Sequence, residues 1–340
     1  MTSISVIIPT RNRADLLLRT LTSLANVELH PDQYEVIVID TASTDNTRKV
    51  CQDHGSKILR NFRYDYCDRP GLHIGRHRGA KCAQGDVLVY ADDDIRPFPT
   101  WLTAISEAFV TEEVSLVGGN NFPDYEADPP DWVETLWHAD KFGKTMGCYS
   151  LLDLGNTVKE IPPWYAWGCN FSIRKELLFR LGGFHPDGMP QELVRYRGDG
   201  ETALSYAIEK TGLKAKFVPE ASIYHYVPRS RMTFEYLYKR GFVQGISDSF
   251  TDVRRLFNSE SLLSDSGSLL ENSKQRLRYT SRALRLTLMS ILRRKTPFMH
   301  YLKGHATGYR FHQSAVKNDP ALLKWVLLQD YWDESISPCL

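Results

Sequence analysis

VLVYADDDI, residues 87–95, runs an apolar strand straight into three adjacent carboxylates, Asp92, Asp93 and Asp94. One Asp is ordinary in the turn that follows a strand. Three in a row repel one another unless solvent or a cation compensates. Hard oxygen ligands at the carboxyl end of a strand suit Mg2+ or Mn2+, which take carboxylate and water and share phosphate oxygens with a substrate. The stretch alone admits both a turn and a metal-diphosphate site.

Working outward, the pattern before it alternates. ISVIIP (4–9), YEVIVID (34–40) and VLVYA (87–91) are β-rich apolar runs, while ADLLLRTLTSLAN (14–26) has helical periodicity and TDNTRKVCQDHG (44–55) opens with capping residues and closes on Gly. Strands alternating with helices predict an α/β fold with a mostly parallel central sheet, helices on both faces and ligands beyond the strands' carboxyl ends. Pro9, Thr10, Asp40 and the Asp triplet fall there. From about 115 to 230 the chain is richer in Pro, Trp and Gly, the composition of substrate-shaping loops. A Ser-rich, mixed-charge stretch at 251–275 predicts a linker or mobile loop, and 274–294 and 297–330 predict helices.

Composition excludes several classes. The 340 residues hold 42 Lys and Arg against 41 Asp and Glu, so a net charge of +1 gives no global case for nucleic-acid binding. Six cysteines show no zinc-type spacing, and MTSISVIIPTRNR has no signal-peptide pattern, which sets the expectation of a cytoplasmic protein. No apolar run approaches the roughly 18–20 residues that cross a bilayer.

SVIIPTRNR, VIDTASTDNT, GLHIGRHRGAKCAQGD, YADDD, WGCNFSIRKELL, GGFHP, GDGETALSYAIEKTG and YHYVPRSR follow one another from Ser5 to about Gly245. In that order they resemble the family 2 glycosyltransferases of GT-A fold, inverting enzymes with a DXD-type metal site. The resemblance implies a GT-A domain over 1–250, its nucleotide-binding part at 1–114 and its acceptor-binding part at 115–250, then the linker and a helical C-terminal extension at 276–340. It implies a sugar moved from a nucleotide-sugar donor, UDP by family weight, to the hydroxyl of a saccharide, lipid-linked or other acceptor, with Mn2+ or Mg2+ as cofactor. A nucleotide-sugar-binding protein without turnover is one alternative. A sugar-nucleotide pyrophosphorylase is another, although PTRNRADLL lacks the Gly-rich phosphate loop it would need.

Residue by residue, the resemblance makes Asp94 the principal metal ligand, with Asp92 facing ribose or metal and His225 reaching metal or diphosphate. Asp93 fills the variable middle position. Pro9, Thr10 and Arg13 would border the nucleotide, and Asp40 would accept from the base or merely end its strand. Arg76 would serve the diphosphate or hold an Asp; His77 stands where the family has Asn and is left out of the site. Arg231 would pair with diphosphate, its planar fork suiting phosphate oxygens. Gly168 and Asn170 match the Gly-x-Asn stretch on the acceptor side, flanked by Trp164 and Trp167, whose flat faces would stack on sugars or simply pack. The family's acidic pair is altered here: Glu201 falls at the general-base position, Gly200 where the first acid would be, and Asp199 one step upstream as the rival base. Leu277, Leu284, Leu288 and Ile291 with Arg278, Arg282 and Arg285 form an amphipathic basic face that would lie on an anionic membrane or pack on its own domain.

Overall fold

The computed structural model describes residues 3–263 and 297–338. The chain begins β1 (Ile4–Thr10), α1 (Ala14–Leu24), β2 (Tyr34–Thr41), an irregular helical stretch at 47–58, β3 (Phe62–Cys67), α2 (Leu72–Cys82) and β4 (Val87–Ala91). It continues through β5 (Ile95–Pro97), α3 (Trp101–Ala108), β6 (Val114–Gly118) and β7 (Asn121–Tyr125) to the short strands β8 (His138–Ala139), β9 (Lys144–Met146), β10 (Leu151–Asp153) and β11 (Lys159–Glu160). Then come β12 (Asn170–Arg174), α4 (Lys175–Arg180), α5 (Thr202–Thr211), β13 (Lys214–Phe217), β14 (Ile223–Val227), α6 (Phe234–Leu263), α7 (Phe298–Asn318) and α8 (Pro320–Val326).

Eight strands form the central sheet in the order β11-β13-β6-β12-β4-β1-β2-β3. β1 lies parallel to β2 and β4, β2 to β3, and β6 to β13. The strand sequences follow from burial on both faces. Val6 and Ile8 point into one apolar layer with Leu17, Leu21 and Leu24 of α1, while Ile7, Leu88 and Tyr90 point into the other with Ala80 of α2. A strand covered on both sides has no polar alternation to show, so it reads as a continuous Val/Ile run. α2 lies close on β1, because a Cβ on Gly79 would come within 2.3 Å of Ile7.

β12 runs antiparallel to β4 with Asn170 opposite Ala91, which brings Gly168 to the same end of the sheet as Asp92. A second sheet, β5-β14-β7-β10-β9-β8, lies beside that end. Its pairing of His225 with Ile95, and the Tyr226 N–H donating to the Asp94 carbonyl at 2.9 Å, set His225 against the Asp triplet.

Two expectations for the C-terminal part change. The stretch read as a linker from 251 begins inside α6, which continues to Leu263. Phe250 and Val253 bury against Leu322, Trp325 and Val326 of α8, which anchors the part of the helix that precedes the Ser-rich run. The helix expected over 297–330 is broken at Pro320, where the Asp319 side chain accepts from the N–H groups of Ala321 and Leu322. The amphipathic face at 274–294 lies outside the described residues. α6 and α7 meet backbone to backbone: Cβ atoms on Gly241, Gly245, Gly304 and Gly308 would stand 1.9–2.1 Å from carbonyl oxygens of the opposite helix. No described helix is long and apolar enough to cross a membrane.

Candidate functional site

The carboxyl ends of β1 and β4 build the acidic centre. Asp94 is almost fully buried and has two arginines and a histidine beside it. Arg13 pairs with Oδ2 through Nη2, Arg231 Nη2 lies 3.4 Å from the same oxygen, and His225 Nε2 is 3.4 Å from Oδ1. Burial opposes its ionisation, but His225, then Arg13 and Arg231, outweigh that and hold the carboxyl well below the usual carboxylate range. Asp93 instead accepts from Thr10 Oγ1 at 2.7 Å and pairs with Arg13 Nε at 3.1 Å. Its own burial dominates and pushes its carboxyl up to about 7. Burial and the neighbouring Asp94 charge raise Asp92 as well.

Asp92, Asp94 and His225 bring three ligand atoms within 4.8 Å of one another, so they could hold a metal ion. Asp94 Oδ1 is buried without a hydrogen-bond partner, and so is His225 Nδ1. An orphaned buried carboxylate oxygen beside a second carboxylate and an imidazole is the donor set a divalent cation completes, so the residues fit one.

Two cavities meet at Asp92. One, of about 210 Å3, is lined by Pro9, Thr10, Arg11, Arg13, Asp92 and Asp93. The other, of about 360 Å3, is lined by Arg76, Asp92, Trp164, Trp167, Gly168, Glu201 and further residues. Leu72 and Gly188 also border both, so the two form one cleft across the carboxylates.

Glu201 is the N-cap residue of α5, yet its side chain makes no capping bond. Oε1 accepts from the Gly168 N–H at 3.1 Å and Oε2 lies 3.4 Å from Arg76 Nη1. The carboxylate therefore faces the cleft at the positive end of a helix dipole. A Cβ at 168 would stand 2.1 Å from Arg76 Nη2, so any larger residue there would have to displace the guanidinium from its place beside Glu201. Arg76 is buried, lies over the Phe184 ring at 4.9 Å, and feels the charges of both Glu201 and Asp92. Gly200 has φ +58, and a Cβ there would stand 2.9 Å from Asp187 Oδ2. Left-handed backbone and a carboxylate already in place explain why no acid occupies 200.

Several expected residues are not brought to the cleft. The Asp199 side chain is buried with Oδ1 2.6 Å from His185 Nδ1 and Oδ2 accepting from Thr251 Oγ1 at 2.6 Å, so both oxygens are committed, one to His185 and one to α6. Asn170 accepts from Trp101 Nε1 at 3.0 Å and donates to the Ala221 carbonyl at 2.9 Å; it ties β12 to its neighbours in the interior. Asp40 ends β2 as expected, but Oδ1 accepts from the Ser43 N–H and Oδ2 from the Tyr64 hydroxyl, each at 2.9 Å. His77, set aside in the sequence, bridges the chain's ends. Its Nε2 accepts from the Phe184 N–H at 2.8 Å, so Nδ1 carries the proton and donates to the Tyr331 carbonyl at 3.0 Å.

Arg11, Asp187, Arg197 and Arg240 line the cleft without having been singled out. Arg11 stands inside the PTRNR motif, and Asp187 inside the loop that follows GGFHP. Arg197 and Arg240 lie in stretches with no signal of their own.

Residues 5–181 match the model of Glycosyl transferase family 2, and the chain belongs to that family. A validoxylamine A glucosyltransferase of Streptomyces hygroscopicus subsp. limoneus is 27% identical over 201 residues, covering 54% of this chain and 44% of that protein. A glucosyl-dolichyl phosphate glucuronosyltransferase of Haloferax volcanii is 24% identical over 184 residues, covering 54% and 56%. The chain thus spans about half the length of the curated relatives it matches. The solved structure of a mannosyltransferase from Pyrobaculum calidifontis in complex with GDP-Man and Mn2+ shares the fold, with a TM-score of 0.55, 20% identity, and 91% of this chain and 87% of that one covered. The fold is GT-A.

Proposed function

We propose that this protein is an inverting glycosyltransferase that moves a sugar from a nucleoside diphosphate, UDP by preference, to an acceptor hydroxyl. The observation that carries the reading is the cleft whose two halves meet at Asp92, one lined by Arg11 and Arg13 and the other by Glu201, Trp164 and Trp167. Arg11, Arg13 and Arg231 suit the diphosphate oxygens on the donor side. Trp164, 40% exposed, and Trp167 offer flat faces to the acceptor's sugar ring.

Asp92, Asp94 and His225 would hold the divalent cation, which when bound offsets charge developing on the departing diphosphate. The imidazole in the set favours Mn2+ over Mg2+, whose usual ligands are all oxygen. Glu201 serves as general base. The Gly168 N–H fixes one of its oxygens, and the carboxylate takes the proton from the acceptor hydroxyl as that oxygen bonds to the anomeric carbon and the bond to phosphate breaks. Arg76 spans from Glu201 towards Asp92 and keeps the two acids apart in one electrostatic frame. A saccharide or lipid-linked sugar is the acceptor, and the domain division is 1–250 for the catalytic part with helices beyond it.

The test is a thermal-shift screen of UDP, GDP and dTDP and their sugars with and without Mn2+, followed by assay of nucleotide release. Stabilisation by UDP that requires Mn2+ is expected. Indifference to every nucleotide in the presence of Mn2+ would refute the reading.

A further inference from the structure

The acceptor half of the cleft is lined by three guanidinium groups and three carboxylates. Two pairs cancel: Arg76 Nη1 lies 3.4 Å from Glu201 Oε2, and Arg197 Nη2 lies 2.5 Å from Asp187 Oδ1. The third acid, Asp92, belongs to the candidate cation site. Arg240 is left over. It is half-buried on α6, and among the described residues it makes neither a hydrogen bond nor an ion pair. Its charge is close enough to Arg197 to lower that group's pKa, after burial. Two neighbouring guanidinium groups with one carboxylate between them leave a positive charge facing the cavity. A neutral ligand filling the cavity would strip water from that charge and give nothing back.

We infer that the acceptor is a sugar bearing an anionic group, a carboxylate or a phosphate, and that Arg240 is the residue that seats it. The inference rests on the glycosyltransferase reading and deepens it. Trp164, with Tyr206 5.8 Å from it, takes the apolar face of the ring, while the anion accepts from the Arg240 fork. The backbone that carries Arg240 lies directly on α7: a Cβ on the next residue, Gly241, would stand 2.0 Å from the Tyr301 carbonyl, so the helix cannot move closer to α7 there.

The full-length protein, loaded with UDP and Mn2+, is titrated calorimetrically with methyl β-glucuronide, glucose 6-phosphate and methyl β-glucoside. At least one anionic sugar is expected to bind about 10- to 100-fold more tightly than the neutral one, the range of a charge-assisted contact. Which of the two is preferred tells carboxylate from phosphate. Arg240→Gln removes the preference and Arg240→Lys keeps part of it. Should the Gln variant fail to fold, the preference in the unaltered protein is still expected to shrink as salt rises from low to physiological concentration. No preference for either anionic sugar, or a preference that survives Arg240→Gln, overturns the inference. Stabilisation by UDP and Mn2+, read in the same samples, reports separately on the donor side, so its absence counts against the glycosyltransferase reading itself.

Discussion

Replacing Glu201 with Gln separates chemistry from binding. The side chain holds two partners, the Gly168 N–H on Oε1 at 3.1 Å and Arg76 Nη1 at 3.4 Å from Oε2. A glutamine carbonyl can keep the first. Its amide NH2 must then face a guanidinium, donor against donor, and Arg76, 3% exposed, keeps only the more distant charges of Asp92 and Asp187. Stability should therefore fall by about 1–3 kcal/mol, the cost of leaving a buried charged donor short of one partner. Transfer should fall much further, because the amide cannot accept a proton: about 10²- to 10⁴-fold, equivalent to roughly 3–5 kcal/mol in the barrier. Donor affinity, set in the arginine-lined half, should stay within about twofold. The assay pairs nucleotide release from a UDP-sugar with the Mn2+-dependent thermal shift by UDP. Transfer at the unaltered rate would remove Glu201 from the mechanism. Equal losses of transfer and donor affinity would mean that Glu201 only props up the cleft.

Asp94→Asn should abolish the part of UDP stabilisation that needs Mn2+ while the protein stays folded, and full Mn2+-dependent stabilisation in that variant, read by thermal shift, would refute the ligand assignment. Asp199→Asn should lower the melting temperature by breaking its ties to His185 and Thr251, with donor binding retained and transfer per folded molecule close to normal; a loss of transfer as large as that of Glu201→Gln would restore Asp199 as the base. Gly308→Ala gains helix propensity of about 1 kcal/mol but puts a Cβ 1.9 Å from the Phe242 carbonyl, and since backbone cannot step aside cheaply we expect a net loss of about 1–3 kcal/mol by chemical denaturation, an unchanged midpoint being the contrary result. Burial holds His77 well below its ordinary pKa near 6.5 and His73 down to about 4, so below pH 6.5 the unfolded chain binds more protons than the folded one. Stability is then full above that pH and drains away as pH falls through the folded values, by up to roughly 1.4 kcal/mol per pH unit for each histidine; melting curves that stay flat from pH 8 to 5 would contradict it.

The first hundred residues are readable because their physics is local. Strands buried on both faces must be Val- and Ile-rich, and carboxylates at the end of one of them have few other uses. α2 is hard to read as a helix because Ile74 is the one large apolar residue among those it buries, the others being His73, Gly75, Arg76, His77, Gly79 and Ala80, small or polar residues that show no apolar period. The second sheet is built from strands of two to five residues, too short for alternation to register. Asp199 and Glu201 are two residues apart in sequence, and the left-handed turn at Gly200 is what sends one into the α6 packing and the other to the cleft. Asn170 and Gly168 divide in a related way. Asn170 begins β12 and points inward, whereas its neighbour Gly168 offers its backbone to the site. Arg240 follows YHYVPRSR by nine residues on α6, in a stretch that none of the quoted motifs includes, so no motif pointed to it.

The His77 imidazole stacks on Trp332 with ring centroids 4.0 Å apart and donates to the Tyr331 carbonyl, and the next residue back along α2 is Arg76. Anyone exchanging catalytic modules between relatives would be tempted to cut at the end of the matched region, or at 250. Either cut discards the indole that covers His77 and exposes the helix that carries Arg76 to water. The portable unit is therefore discontinuous in sequence: a graft intended to keep the buried arginine in place has to bring residues 320–338 with it, however unrelated they look to the motifs some 250 positions earlier.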